Sequence, residues 1–252
     1  MSEPVKFSVN GREIEAERDS SLLGALLKAG FDVPHLCYLE TVTPYASCRL
    51  CLVEIDRGRE RRIATSCNYP VMPGMKVLLD TAEVLEQRRS VFEVLLAQAP
   101  GSARLWEYAA RYGVLGTTLK VQEGECILCG LCEQVCSEVI GACAVAFSGR
   151  GANKEITTPY QAENQACIGC GSCARSCPTG CIKIVDSGLV REMPFIRAKH
   201  ELVPCRVCGE ATLTRPHARW LSERTKIPEA DFYICDRCKA RQTAQSYALL
   251  PR

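Results

Sequence analysis

The chain has 252 residues, room for two or more modest domains, and carries 31 Lys+Arg against 29 Asp+Glu for a net charge of +2. Its 18 cysteines are bunched at short spacings, which in a chain this long argues for metal rather than a disulfide framework. No window reaches the length of a membrane span, and the polar N-terminus Met1-Ser2-Glu3-Pro4-Val5-Lys6 has no apolar leader, so the sequence predicts a cytoplasmic protein without a membrane span.

The first elements suit a compact α+β unit. Val5-Lys6-Phe7-Ser8-Val9 alternates, Asn10-Gly11 supplies a hairpin turn, and Glu13-Ile14-Glu15-Ala16 returns. Asp19 or Ser20 is expected to cap a helix with an apolar stripe of Leu22, Leu23, Leu26 and Leu27, stopped by Gly30. Strand-like runs follow at Leu50–Ile55 and Lys76–Leu79, giving the element order of a β-grasp ferredoxin. A helix is predicted from Thr81 to about Gln98, with Val84, Leu85, Val91, Phe92, Leu95 and Leu96 on one face, and a second from Ser102 to Tyr112.

Next comes C-x2-C-x2-C-x3-C, written twice: Cys126, Cys129, Cys132, Cys136, then Cys167, Cys170, Cys173, Cys177, the last followed by Pro178. A [4Fe–4S] cubane needs four thiolates, three of which fit on one tight loop at this spacing, and the fourth cysteine of each run serves the other run's cluster. One cluster is therefore assigned to Cys126, Cys129, Cys132 and Cys177, and a second to Cys167, Cys170, Cys173 and Cys136. Two zinc knuckles would leave too many thiols unpaired. Upstream, Cys37, Cys48, Cys51 and Cys67 (C-x10-C-x2-C-x15-C) sit within the β-grasp pattern and form the ligand set of one [2Fe–2S] cluster.

Val33-Pro34-His35-Leu36-Cys37-Tyr38 and Cys48-Arg49-Leu50-Cys51-Leu52-Val53-Glu54 resemble the opening of the large iron–sulfur subunit of respiratory complex I. They are similar also to the iron–sulfur electron-transfer subunit of NAD-linked hydrogenases and to the N-terminal part of NAD-linked formate dehydrogenases. The likeness continues through Cys126–Cys132, Ser137–Gly141, Gly149-Arg150-Gly151 and Cys177-Pro178-Thr179-Gly180, covering about residues 1–190. Those relatives usually carry a further cubane held by one histidine and three cysteines. Residues 81–125 contain neither residue type, and Ala99-Pro100-Gly101-Ser102-Ala103-Arg104 stands where the resemblance would place the ligands, so that cluster is expected to be absent.

Several other residues admit more than one reading. His35 beside Cys37 suggests a Rieske site, but such centres need paired histidines and the chain has only three, so a structural loop role is expected. Cys143 and Cys181 remain once the clusters are filled, and buried packing is the expectation for both. Gly169-Cys170-Gly171-Ser172-Cys173-Ala174 fits G-x-G-x-x-A but lies inside a cluster loop, not between strand and helix, and is rejected as a dinucleotide site. Beyond Pro194, Cys205, Cys208, Cys235 and Cys238 form C-x2-C-x26-C-x2-C, a zinc-ribbon-like site for one zinc. A rubredoxin-like iron is the alternative, weakened by Lys239 where its pattern wants glycine.

The expected fold is thus α+β in four parts. They are a [2Fe–2S] β-grasp domain (1–80), a helical linker (81–120), a bacterial-type double [4Fe–4S] ferredoxin domain (121–190) and a four-cysteine tail (191–252). Charge is uneven: 4 Lys+Arg against 7 Asp+Glu in 121–190, but 12 against 7 in 191–252, which suggests docking surfaces of opposite sign. No Rossmann fingerprint, flavin loop or paired acid and base is present, so the chain is expected to be an electron-transfer subunit, not the catalytic one. The resemblance implies a hetero-oligomer with a flavin- and NAD-binding diaphorase subunit and a further redox subunit. A free-standing polyferredoxin and an iron–sulfur, zinc-ribbon regulator are the alternatives. The regulator would draw on Arg215, Arg219, Arg224 and Lys226, but no helix-turn-helix or aromatic stacking set supports nucleic-acid binding.

Overall fold

The computed structural model describes residues 3–58, 60–161 and 164–248. Met1 and Ser2 of the polar N-terminal stretch, and residues 249–252 of the tail, lie outside the described residues. The chain divides into two compact units, one running to Gln134 and including Ser176–Cys181, the other comprising Val135–Arg175 and the chain from Ile182 onward.

In the first unit, β1 (Pro4–Val9) and β2 (Arg12–Glu17) form the expected hairpin, with Phe7 opposite Ile14. Asn10 (φ 48) and Gly11 (φ 84) both lie in the left-handed region, as a type I′ turn requires, and Asn and Gly reach it at least cost. Helix α1 (Leu22–Lys28) is capped by Ser21, not by Asp19 or Ser20: the Ser21 hydroxyl accepts from Gly24 N at 3.3 Å. Ser20 instead bonds back to the Glu17 carbonyl at 2.6 Å, and Asp19 turns the chain with a φ of 62. Strands β3 (Leu52–Asp56), β4 (Arg61–Thr65) and β5 (Lys76–Leu78) complete a sheet of order β2-β1-β5-β3-β4, in which only β1 and β5 run parallel. Leu22, Leu23 and Leu26 pack with Phe7, Val9, Val53, Ile55 and Val77 in one core. That is the β-grasp arrangement.

Helices α2 (Ala82–Gln98) and α3 (Ala103–Arg111) match the predicted pair and are capped by the Thr81 and Ser102 hydroxyls. Arg88 on α2 is only 2% exposed; it donates to the Leu52 carbonyl at 2.6 Å and pairs with Asp80 at 3.2 Å, which pins α2 to the start of β3. Phe92 stacks on Tyr112 and meets Tyr108 edge-on, locking α2 to α3. The loop between them is packed rather than open. Gly101 N donates to the Gly124 carbonyl at 3.0 Å, and Ser102 Oγ to the Thr179 carbonyl at 3.1 Å.

The short helix α4 (Leu131–Gln134) closes the first unit's run along the chain. The second unit opens with a π-helical turn over Val135–Ile140 and a small hairpin of β6 (Ala146–Ser148) and β7 (Glu155–Thr157). Helix α5 (Ser172–Arg175) is a single turn. Strands β8 (Val185–Ser187), β9 (Val190–Met193), β10 (Ala198–Pro204) and β11 (Ala211–Thr214) form an antiparallel sheet of order β11-β10-β9-β8. Helix α6 (Arg215–Thr225) follows, then α7 (Asp236–Ala248). Thr214 Oγ1 bonds the Ile168 carbonyl and also caps α6, so one side chain fixes the sheet end, a cysteine loop and the helix together.

Candidate cluster and metal sites

The loop from α1 to β3 wraps the first site. Cys37, Cys48, Cys51 and Cys67 are each buried, and they fall into two touching pairs. Cys37 hydrogen-bonds Cys48, and Cys51 hydrogen-bonds Cys67. Ala46 (φ 54) and Arg49 (φ 58) hold left-handed backbone without glycine's freedom, a strain that persists where surrounding structure dictates it. The result aims amides at sulfur: Cys48 N donates to Cys37 Sγ at 3.3 Å. The bond donated by Cys37 lowers the Cys48 thiol to about 6, and the same bond, reinforced by burial, raises Cys37. Cys51 is lowered and Cys67 raised for the matching reason. Four buried thiolates cannot ionise together without a cation, so this donor set fits a ferric core that supplies the missing positive charge.

His35 serves the loop, as expected. Its Nδ1 lies 2.8 Å from the Val33 carbonyl, and its N–H donates to Tyr108 Oη at 3.0 Å, tying the loop to α3.

The first unit also holds Cys126, Cys129, Cys132 and Cys177. Leu128 takes a φ of 52 and turns its own N–H onto Cys126 Sγ at 3.3 Å. Burial pushes the Cys129 thiol up to about 12, with Cys177, Cys48 and Cys181 adding negative charge nearby. Cys181 belongs to this group. Its thiol bonds Cys126 and lies 3.5 Å from Cys177 Sγ. Packing alone does not describe it, because its partners are two of the predicted ligands. Spacing gave no sign of this; the turn at Gly180 (φ 70) creates the contact.

The Cys126 loop adjoins the Cys37–Cys67 site. Ser47 Oγ donates to the Leu128 carbonyl at 3.2 Å, so residues next to Cys48 and Cys129 are directly bonded. Gln134 Nε2 bonds the Thr43 carbonyl on the same loop. Neither Ser47 nor Gln134 stood out in the sequence.

The second unit groups Cys136 with Cys167, Cys170 and Cys173 around a cavity of about 20 Å³ that Met193 and Ile196 also line. The backbone repeats the first run's design: Gly169 (φ 67) occupies Leu128's position and donates its N–H to Cys167 Sγ at 3.3 Å. Ala144 N donates to Cys136 Sγ at 3.2 Å. Burial pushes Cys167 up to about 11 and Cys173 up to about 12. This site too cannot carry four thiolates unaided. Cys143 is exposed rather than packed, because its left-handed φ of 49 turns it outward after Gly141. The G-x-G-x-x-A stretch lies in this loop and α5, and among the described residues no strand leads directly into it.

In the tail, the Sγ atoms of Cys205, Cys208, Cys235 and Cys238 all lie within 4.8 Å of one another. That spread suits tetrahedral four-sulfur coordination. Cys235 N donates to Cys205 Sγ at 3.3 Å and lowers that thiol to about 6, whereas Cys238 is pushed up to about 12, burial being the main cause. The arrangement is consistent with a zinc-ribbon-like unit.

Residues 2–82 match the family model of a 2Fe-2S iron-sulfur cluster binding domain, and residues 163–183 that of a 4Fe-4S binding domain. The mitochondrial NADH-ubiquinone oxidoreductase 78 kDa subunit of Neurospora crassa is 28% identical over 205 residues, 71% of this chain and 27% of that protein. The chain resembles the iron–sulfur subunits of NAD-linked redox complexes. NADPH-Fe(3+) oxidoreductase subunit alpha of Geobacter sulfurreducens is 28% identical over 201 residues, covering 70% of this chain and 24% of its own length. NADP-reducing hydrogenase subunit HndD of Solidesulfovibrio fructosivorans is 28% identical over 208 residues, 70% of this chain and 35% of that protein. The chain thus spans about a quarter to a third of the length of these relatives. Among solved structures, a chain of an NAD+-reducing [NiFe]-hydrogenase in the H2-reduced state shares the fold, with a TM-score of 0.55 and 22% identity. That match covers 89% of this chain and 99% of the other. The chain therefore carries a [2Fe–2S]-binding and a [4Fe–4S]-binding domain. No helix among the described residues is long and apolar enough to cross a membrane.

Proposed function

We propose that the chain is an iron–sulfur electron-transfer subunit of a cytoplasmic, multi-subunit NAD(P)-linked oxidoreductase. It relays single electrons between a flavin-bearing diaphorase subunit and a second catalytic or accepting subunit. In this reading Cys37, Cys48, Cys51 and Cys67 hold one [2Fe–2S] cluster, and Cys126, Cys129, Cys132 and Cys177 a first cubane. Cys167, Cys170, Cys173 and Cys136 hold a second cubane, and Cys205, Cys208, Cys235 and Cys238 a zinc. Support for the crossed fourth ligands comes from the compact units: Cys177 falls with the first run and Cys136 with the second. When bound, such clusters accept and release one electron at a time, which suits a partner that splits hydride pairs on flavin.

The observation that carries the reading is the Ser47–Leu128 hydrogen bond at 3.2 Å, which joins the [2Fe–2S] loop to the first cubane loop. Around it the protein excludes water by burying Cys48, Cys51 and Cys129, and presents amide donors to sulfur. The loop of residues 99–104 supports the absence of a histidine-ligated cluster. Ser102 and Arg104 spend their polar groups on the Thr179 and Cys177 carbonyls, and Trp106 Nε1 bonds the Pro100 carbonyl at 2.8 Å.

The test is reduction of the isolated chain. NADH or NADPH alone should leave its visible spectrum unchanged, while dithionite bleaches it, and a flavoprotein co-purifying from the source should restore reduction by nicotinamide. A native species of 27.7 kDa with no partners would instead indicate a free-standing polyferredoxin.

A further inference from the structure

Five cysteines, not four, surround the first cubane site. Cys181 ends the sequence Cys177-Pro178-Thr179-Gly180-Cys181, and its backbone returns to its starting point: Gly180 N donates to the Cys177 carbonyl at 3.3 Å. Gly180 holds a φ of 70, and a β-carbon there would meet the Arg104 guanidinium at 3.1 Å. The turn is therefore fixed from outside, and it sets Cys181 Sγ 3.5 Å from Cys177 Sγ while its thiol also bonds Cys126. Thr179 Oγ1 lies 3.5 Å from Cys177 Sγ and bonds Cys181 as well, so one hydroxyl serves both sulfurs.

We propose that Cys181 is a reserve fourth ligand of the cubane held by Cys126, Cys129 and Cys132, exchanging with Cys177 at one iron. Two sulfurs in contact cannot reach two different irons of a cubane core, so Cys181 competes with a sulfur it touches; Cys177, with which it shares one turn and the Thr179 hydroxyl, is the one whose place it takes while Cys126 keeps its own. In the exchange the Fe–Sγ bond to Cys177 breaks and one to Cys181 forms. The Cys181 thiol proton passes to Cys177 across their contact, and no oxidation state changes. Beside Cys136, the corresponding ligand of the second cubane, the nearby thiol is Cys143, which is exposed and whose backbone N–H donates to the Cys136 carbonyl at 3.4 Å. The inference rests on the ligand reading given above.

The experiment is anaerobic iron and sulfide analysis of the full chain with EPR of the reduced protein. Cys177→Ser should keep all its iron with an altered cubane signal, Cys181→Ser should match the wild type, and the double variant should lose about four irons. Loss of about four irons from Cys177→Ser alone overturns the exchange. Cys129→Ser separates the two levels of inference: if it loses no iron, the ligand reading itself fails. Should Cys177→Ser not fold, anaerobic alkylation of the wild-type holoprotein decides, because the tryptic peptide Ser176–Lys183 carries both thiols. Exchange gives singly labelled peptides of both kinds; label confined to one thiol refutes it.

Discussion

Replacing Cys235 and Cys238 with serine removes half the donors of the tail site, and its consequence follows from how little else holds the end of the chain. From Arg215 to Gln245 only Ala218 and Cys238 are buried. Helix α7 has 13 residues, a length at which an isolated helix is marginal in water, and Cys238 is its one buried side chain among those described. A structural zinc held by four thiolates supplies on the order of 10 kcal/mol of folding free energy. Without it the stability of α7 should fall to about zero. Helix α6 has other anchors. Thr214 caps it, Ala218 is buried, and Trp220 Nε1 donates to the Ile140 carbonyl at 2.8 Å. Hydrogen exchange read by mass spectrometry should therefore show residues 235–248 exchanging as open chain in the double variant, while 215–225 keep most of their protection. Elemental analysis should show one zinc lost and iron unchanged. An α7 that exchanges as slowly as in the wild type would refute the idea that metal holds it. Iron in place of zinc would make the tail a further redox centre.

Cys48→Ser should abolish the [2Fe–2S] EPR signal and leave both cubane signals, since all the cubane cysteines lie on other loops. Arg88→Met should cost roughly 2 kcal/mol in a denaturant titration, because it strips the buried guanidinium's hydrogen bond from the half-buried Leu52 carbonyl. His200 Nε2 and His217 Nδ1 are buried without a hydrogen-bond partner, and burial lowers both imidazoles below their ordinary 6.5. The unfolded chain then binds more protons than the folded one below pH 6.5, so the stability of the second unit should fall as the pH drops through that value toward the folded pKa. Thermal melts at pH 7.5 and 5.5 measure this, and His217→Gln should flatten the dependence; an unchanged slope in that variant would assign it to other groups.

Much of the fold is legible in the residues themselves. The β1–β2 hairpin, α1, α2 and α3 carry strong local signals: Asn10-Gly11, a leucine stripe, capping hydroxyls. The doubled cysteine runs announce iron chemistry because ligand spacing is itself the signal. Strand β4 gives no such sign, because Arg61-Arg62 is exposed and offers no apolar alternation. The sheet β8–β11 is hidden similarly: β8 is a three-residue strand exposed throughout, held by pairing with β9 rather than by its own sequence. Ser21 displaces the expected cap because tertiary pairing decides the helix start; its hydroxyl also reaches the Cys67 carbonyl at 2.8 Å. Of the contacts that matter most at the sites, Ser47 with Leu128 depends on positive φ at Ala46 and Leu128, whose types do not announce it, and Cys181 with Cys177 on a turn at Gly180 whose outcome the spacing does not name.

The claim of a three-cluster relay is met most directly by anaerobic iron and sulfide analysis of the loaded chain, joined to a dithionite titration followed by EPR. The account predicts about ten irons, about ten sulfides and three electrons accepted per chain. A chain that saturates at about six irons and two electrons would contradict it, because one of the two cysteine runs would then hold no cubane.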